Sequence, residues 1–188
     1  MEHLPKLKVL VLKSNKFAGN LSLHSPTKLP FPMLQVLDIS YNAFVGSLPE
    51  RYFKNFRAMI EEKQRDDKES SYDREKEEDD QYQGFVGMIV TLKGQDQLFN
   101  GLFETFTTID LSSNRFSGTI PPSIGNLNIL KYLNLSHNSL TRHIPSSLGN
   151  MRQLESLDLS TNKLDGEIPG ELSRLNISCK IKPFNEQS

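Results

Sequence analysis

The sequence predicts a solenoid of the α/β repeat class, in which short parallel strands stack side by side to form one continuous sheet. First, residues 106–177 contain three consecutive segments that repeat every 24 residues, and two further copies precede them within residues 4–49. Second, each copy opens with apolar residues at alternate positions, such as Leu133 and Leu135, which is typical of a strand with one buried face. A repeat this small buries its apolar face only against its neighbours, so the copies are expected to stack.

Each copy follows the pattern L-x-x-L-x-L-x-x-N, which at a fixed period of about 20 to 29 residues is the signature of a leucine-rich repeat. The asparagine comes where the chain turns away from the strand, and its amide can both donate and accept hydrogen bonds. Stacking therefore predicts a ladder of amides that satisfies backbone groups in the turns. The ladder asparagines are Asn15, Asn42, Asn114, Asn138 and Asn162.

The second half of each repeat predicts a turn, an extended return and a short helical segment. Gly118 and Gly166 occupy the turn, where glycine permits a positive φ. Arg142 stands at the same position of the middle repeat and predicts a strained turn. Apolar residues such as Ile124 and Leu127 then predict a helical or 3₁₀ segment on the side opposite the sheet.

An insertion, residues 50–105, interrupts the repeats and is predicted to start with a short amphipathic helix. Within it, residues 61–80 carry eleven acidic and five basic side chains, which predicts a disordered, solvated loop. Residues 84–94 predict a strand and residues 97–106 a second helix. Apolar residues of the insertion are expected to join the two leading repeats to the trailing three. After the last repeat, residues 178–188 are predicted to be a frayed tail.

Composition excludes several functions. A net charge of −1 gives no electrostatic case for nucleic acid as a partner. The sequence contains none of the common nucleophile, phosphate-loop or metal-ligand motifs, so we expect no catalytic, cofactor-binding or metal-binding residues and no cofactor. Cys179 is the single cysteine, and we interpret it as a leftover thiol. The chain as written has no secretory leader and no apolar run long enough to span a bilayer, which predicts a cytosolic fragment.

The outward positions of the strands predict a recognition surface, because repeat proteins bind partners on this face. The alternative is a solvated sheet face, and the aspartates that share one column could serve only to solubilise it. His137 is either a pH-sensitive contact or an ordinary exposed histidine. The candidate recognition residues are Asp38, Tyr41, Asp110, Lys131, Tyr132, Asn134, His137, Glu155 and Asp158.

Three Asn-x-Ser sequences are candidate N-glycosylation sites. They begin at Asn20, Asn134 and Asn176. Chance is the alternative interpretation, since the repeat consensus itself produces Asn-Leu-Ser easily. If the chain enters the secretory pathway, Asn20 is favoured over Asn134, because a glycan at Asn134 would cover the recognition face.

The motif L-x-G-x-I-P-x-x-L belongs to the plant-specific class of leucine-rich repeats. The segments PERYFKNFRAMIEE, VTLKGQ and FTTIDLSSNRFSGTIP, with the acidic loop between the first two, closely resemble plant receptor-like proteins of the disease-resistance type. The resemblance covers residues 4–175. It implies a kinase-less cell-surface receptor in which the insertion and the outward strand residues face a protein or peptide ligand.

The same resemblance implies a co-receptor kinase and an adaptor kinase as partners, and the extracellular face of the plasma membrane as the location of a full-length member. Two other hypotheses stay open. One is a secreted inhibitor of microbial wall-degrading enzymes, although the insertion and the lack of cysteine-paired caps count against it. The other is a truncated fragment with no function.

Overall fold

Two parallel sheets run through the repeats of the computed structural model, which describes residues 4–21, 31–60, 88–92, 95–99, 106–175 and 177–181. The six-stranded sheet has the order β1 (Val9–Val11), β3 (Val36–Asp38), β7 (Thr108–Asp110), β9 (Tyr132–Asn134), β11 (Ser156–Asp158) and β13 (Ser178–Lys180). The five-stranded sheet has the order β2 (Ala18–Asn20), β4 (Ala43–Gly46), β8 (Arg115–Gly118), β10 (Ser139–Arg142) and β12 (Lys163–Leu164). Each repeat contributes one strand to each sheet in turn, so the predicted leucine-rich-repeat solenoid is confirmed.

Short 3₁₀ segments close the repeats on the side away from the six-stranded sheet. They span Pro122–Asn126, Ser146–Asn150 and Gly170–Arg174, and each follows a proline. A proline has no N–H to donate to a sheet and its φ is fixed, so it directs the chain out of the strands. Between the sheets and these segments lies one hydrophobic core, to which each repeat adds its alternate strand residues, such as Leu133 and Leu135.

The start of the insertion belongs to this core. Residues predicted as one helix form two short helices, α1 (Glu50–Phe53) and α2 (Arg57–Ile60), whose Phe53 and Met59 are fully buried. The main-chain oxygen of Met59 also accepts a hydrogen bond of 3.0 Å from the Ile129 nitrogen, in the repeat after the insertion. The first helical turns of the insertion therefore extend the core across the interruption.

The predicted second helix is wrong where the structure describes it. Strands β5 (Met88–Leu92) and β6 (Gln95–Phe99) form an antiparallel pair, in which Ile89 is opposite Leu98. Short apolar runs fit helix and strand patterns equally well, and here pairing with β5 decides the outcome. The remainder of the predicted helix up to residue 105, and the acidic loop 61–80, lie outside the described residues.

The prediction of a frayed tail over residues 178–188 is wrong for its first three residues. Ser178–Lys180 forms β13, which pairs in parallel with β11, and the Leu159 nitrogen donates to the Lys180 oxygen at 2.9 Å. The apolar columns had faded by this point, but backbone hydrogen bonding needs no apolar side chain. Residues 182–188 lie outside the described residues.

From the second repeat onward, the ladder asparagines tie each repeat to the one before it, whereas Asn15 in the first repeat donates to the main-chain oxygens of Leu12 and Lys13 in its own. Asn138 Nδ2 donates to the main-chain oxygens of Leu111 (3.1 Å), in the preceding repeat, and of Leu135 (3.2 Å), in its own. Its Oδ1 accepts from the nitrogen of Phe116 at 3.0 Å. Asn42, Asn114 and Asn162 make the corresponding bonds.

A left-handed backbone precedes every ladder asparagine, a feature that the sequence pattern did not indicate. The residues with this conformation are Ser14, Tyr41, Ser113, His137 and Thr161, with φ between 52° and 58°. Side chains other than glycine, asparagine and aspartate rarely adopt it. Each repeat therefore accepts the conformational cost of one left-handed residue, which indicates that the hydrogen bonds of the ladder outweigh the local preference of the backbone.

Replacing Asn138 with alanine is expected to lower the free energy of unfolding by roughly 3 kcal/mol, because two repeats lose hydrogen bonds to buried backbone groups. Urea unfolding measures the change. Asn126→Ala, at an exposed position, is the control and should stay within about 0.5 kcal/mol of the parent. Equal effects of the two substitutions would contradict the structural importance of the ladder.

Arg142 has a φ of 70°, close to the 80° and 77° of Gly118 and Gly166 at the same position of their repeats. The turn therefore has the positive φ that makes it strained for a residue other than glycine. We expect Arg142→Gly to raise the free energy of unfolding by about 0.5 to 1 kcal/mol, since glycine removes the strain but also makes the unfolded chain more flexible. Arg115→Gly, in β8 without a positive φ, should instead destabilise. Thermal unfolding of both variants distinguishes conformational strain from loss of an arginine; destabilisation by both would rule strain out.

Candidate recognition face

The first and third residues of each central strand in the six-stranded sheet point away from the core, because side chains alternate along a strand. We call these positions the outward face. They comprise Val36, Asp38, Thr108, Asp110, Tyr132, Asn134, Ser156 and Asp158. The parallel register aligns them in two rows, one running from Val36 to Ser156 and the other from Asp38 to Asp158.

The row of acidic and amide side chains caps the ends of the strands. Asp38 Oδ1 accepts hydrogen bonds from both the nitrogen (3.0 Å) and the hydroxyl (2.6 Å) of Ser40. The Asp158–Ser160 pair repeats this geometry at 3.0 and 2.6 Å, and the Asn134 amide oxygen replaces the carboxylate in its own repeat. These bonds satisfy backbone groups where the chain leaves the sheet.

The structure corrects the predicted recognition face at two positions. Asp38 and Asp110 are only 2% and 3% exposed, so neither can contact a partner in this conformation. Their column matches that of Asp158, which is half-buried, but the sequence could not show that two strands of the face are covered and others are not.

Asp110 has an unusual electrostatic environment. Burial raises the pKa of its carboxyl to about 6, and the carboxylate of Asp38 on the adjacent strand also raises it. Hydrogen bonds from the Ser112 nitrogen (2.9 Å) and from Asn134 Nδ2 (3.2 Å) lower the pKa and partly offset the effect. Asp110 therefore changes its protonation in mildly acidic solution.

Three predicted residues come together at the start of β9 and β11. The Tyr132 hydroxyl donates to Glu155 Oε2 at 2.6 Å, while Lys131 Nζ lies 3.6 Å from Glu155 Oε1. Phe106 packs its ring against that of Tyr132, with centroids 5.3 Å apart. Burial and the neighbouring Glu155 carboxylate raise the pKa of Tyr132 to about 12, so it remains a donor. We call these four residues the aromatic–charge cluster; Phe106 was not among the predicted site residues.

The other predicted residues lie elsewhere on the face. Tyr41 and His137 are exposed at the opposite ends of their strands, where each precedes a ladder asparagine. The Lys13 ammonium lies 6.0 Å from the centre of the Tyr41 ring. Burial raises the pKa of the Cys179 thiol, and the nearby carboxylate of Asp158 raises it further. The thiol therefore stays protonated and is a poor nucleophile.

The candidate glycosylation positions differ in accessibility. Asn20 is exposed in β2, outside the six-stranded sheet. Asn134 is half-buried, and both atoms of its amide are engaged, Nδ2 with Asp110 and Oδ1 with Ser136. Asn176 lies outside the described residues.

The fold and this face define a leucine-rich-repeat protein with an ordered outward surface. Two models of the leucine-rich repeat match the chain, over residues 33–55 and 104–164. Within the described ranges no helix is long and apolar enough to cross a membrane. The same ranges hold no group of three histidine, cysteine, aspartate or glutamate side chains placed to bind a metal ion.

Curated relatives from Arabidopsis thaliana identify the family. The chain is 45% identical to receptor-like protein 38 over 68% of its own length and 18% of that protein. It is 45% identical to receptor-like protein 36 over 70% of its length and 18% of that protein, and 43% identical to receptor-like protein 53 over 71% and 13%. The chain belongs to the plant leucine-rich-repeat receptor-like proteins, and spans less than a fifth of the length of these three relatives.

Solved receptor structures have the same fold. The ectodomain of the Arabidopsis receptor kinase HAESA, in complex with a peptide hormone ligand, matches 94% of this chain and 22% of its own, with 28% identity and a TM-score of 0.58. The complex of BIR3 and SERK2 matches 93% of this chain and 70% of the solved chain, with 25% identity and a TM-score of 0.55.

Asp110→Asn is expected to stabilise the fold more at pH 7 than at pH 4. A folded pKa of about 6 against an ordinary 3.8 means that stability is highest below pH 3.8, where the carboxyl is protonated in both states, and falls as pH rises through 6. Above pH 6 the ionised Asp110 carboxylate lowers the free energy of unfolding by roughly 3 kcal/mol. An asparagine at position 110 should keep the hydrogen bond that caps the strand but carry no charge, as Asn134 does in the same row.

Urea unfolding of the parent and the variant between pH 4 and 7 tests this dependence. Asp158→Asn makes the same substitution at the half-buried position of the same row and is the matched control. Parallel stability curves for the parent and Asp110→Asn would contradict the assignment.

Proposed function

We propose that this chain is a non-catalytic protein-recognition module within a plant cell-surface receptor-like protein, where it binds a protein or peptide ligand and a co-receptor kinase. Support comes from the receptor-like proteins to which it is similar and from receptor ectodomains of the same fold, one of them solved with a peptide hormone. The extracellular face of the plasma membrane and a role in plant defence follow from the same family resemblance.

The aromatic–charge cluster is the observation that carries the proposal. Tyrosine and other aromatic residues are enriched at protein interfaces because they present a large, rigid contact area with a polar end. Tyr132 is held from both sides, by the Phe106 ring and by Glu155. A side chain fixed in this way loses little conformational entropy on binding.

Charges in the cluster provide a means of partner selection. Glu155 is half-exposed at 51% of its side chain, whereas Lys131 is 24% exposed. The carboxylate therefore remains available to a positively charged or hydrogen-bond-donating group of a partner. Exposed charges of this kind affect the rate and specificity of association more than affinity, and respond to salt.

Binding of the chain to the purified SERK2 ectodomain tests the co-receptor part of the proposal. We expect a dissociation constant in the micromolar range, since two of the six sheet strands are covered and the other four offer roughly 450 Å² of surface, against about 800 Å² per partner in a standard interface. Tyr132→Ala and Glu155→Ala should each weaken binding about tenfold in biolayer interferometry.

Glu171→Ala is the matched control, because it removes the same functional group in the 3₁₀ segment away from the sheet. It should leave the dissociation constant unchanged. If the chain fails to bind SERK2, the proposed co-receptor contact is wrong. An equal loss in all three variants would show that the contact does not involve the cluster.

A further inference from the structure

The row that runs from Asp38 to Asp158 on the outward face extends to β1 at one end and to β13 at the other. In this row the structure describes five pairs of neighbouring residues, namely Val11–Asp38, Asp38–Asp110, Asp110–Asn134, Asn134–Asp158 and Asp158–Lys180. Four of these pairs set an acidic side chain beside an apolar, amide or basic one. The pair of Asp38 and Asp110 is the exception, because it sets two carboxyl groups side by side on β3 and β7. Two ionised carboxylates in one site repel each other.

This acidic pair is removed from water and has no basic neighbour in the row. Asp38 and Asp110 are 2% and 3% exposed. On the side of β1 the row continues with Val11, and on the side of β9 with the neutral amide of Asn134. Among the described residues, none forms a salt bridge with either carboxyl group. The repulsion is therefore neither screened by solvent nor offset by a cation of the protein.

Charged side chains on the surrounding strands are engaged elsewhere. The ammonium of Lys13, after β1, lies 6.0 Å from the centre of the Tyr41 ring. Lys131 pairs with Glu155 at the opposite ends of the strands. Asp158 lies two strands from β7 in the same row and adds a further acidic group. A proton is thus the positive charge that the acidic pair can acquire.

The backbone holds the two carboxyl groups in the same orientation. Oδ1 of Asp38 accepts from the Ser40 nitrogen at 3.0 Å, and Oδ1 of Asp110 accepts from the Ser112 nitrogen at 2.9 Å. Because neighbouring strands lie about 4.8 Å apart and the caps are alike, the two groups face each other at about the strand spacing. On the other side of Asp110 the same spacing lets Asn134 Nδ2 donate to Asp110 Oδ2 at 3.2 Å. Neighbours in this row are therefore close enough to form a hydrogen bond.

The bond from Asn134 shows what the acidic pair lacks. An amide bridges β9 and β7 because it donates where the carboxylate of Asp110 accepts. Two ionised carboxylates have only acceptor atoms and cannot bridge β3 and β7. A protonated Asp110 has one O–H, which can donate to the carboxylate of Asp38. Burial and the charge of Asp38 raise the pKa of Asp110 to about 6, so the proton is bound in mildly acidic solution and released to solvent above it.

The acidic pair lies where the two leading repeats meet the three trailing ones. Strand β3 belongs to the second repeat and β7 to the third, and the insertion separates them in the sequence. We call the pairing of β3 with β7 the joint. Across it the Ile39 nitrogen donates to the Asp110 oxygen at 3.0 Å. The Tyr41 nitrogen donates to the Ser112 oxygen at 3.1 Å. Repulsion between the carboxylates acts directly on these bonds.

We infer that a proton on Asp110 stabilises the joint by a hydrogen bond to Asp38, and that loss of this proton loosens the pairing of β3 with β7. The folded state binds the proton more tightly than the unfolded chain, so this stabilisation is complete in acid and is lost as the pH rises through about 6. The pairing of β9 with β11 has an amide, Asn134, in place of one carboxyl group. The joint opens and closes without a ligand and does not depend on the proposed recognition function.

Hydrogen exchange of single amides, followed by NMR at pH 5 and pH 7, tests the joint. Each rate is divided by the intrinsic rate of an unstructured chain at the same pH, which gives a protection factor. The amides of Ile39 and Tyr41 report on the joint, and those of Leu135 and His137 make the corresponding bonds between β9 and β11. Since local opening lowers protection only where it occurs, we expect protection at Ile39 and Tyr41 to fall about tenfold from pH 5 to pH 7 relative to the other two.

Two substitutions separate the proton bridge from a general loss of stability. Asp110→Asn removes the titrating group and should abolish the fall. Asp38→Asn keeps the Asp110 carboxyl group and offers it an amide donor, in the geometry that Asn134 has with Ser136 and Asp110. Protection of the joint at pH 7 should then rise toward its value at pH 5. Asp158→Asn, in the same row but outside the joint, is the control and should leave the parent's fall at the joint in place.

Equal changes at the two sets of amides in the parent, or no change at either, would overturn the inference. It would also be overturned if Asp38→Asn kept the full fall of the parent, because desolvation of Asp110 alone would then explain the effect. Should a variant fail to fold, the comparison of the two sets of amides in the parent still decides. These measurements need no ligand, so their failure is distinct from failure to bind SERK2.

Discussion

One asparagine amide per repeat holds this structure in register. The side chain of Asn138 bonds the main chain of its own repeat and of the repeat before it, and the same contacts recur at Asn42, Asn114 and Asn162. A repeat cannot make these bonds alone, so its strand is stable only beside a neighbour. The ladder also accounts for the five left-handed residues that precede the asparagines.

The ends of the strands show how structural and functional demands compete for the same positions. An outward aspartate, such as Asp158, looks like a recognition residue in the sequence, but one of its carboxylate oxygens caps the backbone of Ser160. The other oxygen remains for neighbours, as the bond from Asn134 to Asp110 illustrates. The polar side chains of this row therefore act mainly as hydrogen-bond caps for the backbone of the turn. The side chains left for a partner are those at the strand starts, where Tyr132 and Glu155 meet.

The insertion is more than an interruption of the repeats. Its first residues extend the hydrophobic core through Phe53 and Met59, and the Met59 oxygen bonds the repeat that follows. Direct pairing of β3 with β7 makes the six-stranded sheet continuous across it. The insertion thus leaves the solenoid unbroken. Phe106, where the chain returns to the repeats, packs its ring against Tyr132 on the surface that we propose for recognition.

The sequence by itself determined the solenoid, its period, the ladder and the turn at Arg142, because each depends on contacts that recur at fixed spacing. It did not determine the pairing of Gln95–Phe99 or the strand at Ser178–Lys180, since pairing depends on which backbone lies alongside. Nor could it separate Asp110 from Asp158. The two share a column and a cap, and only tertiary structure decides which is desolvated, because burial is set by what packs around a residue in the fold rather than by its position in the repeat.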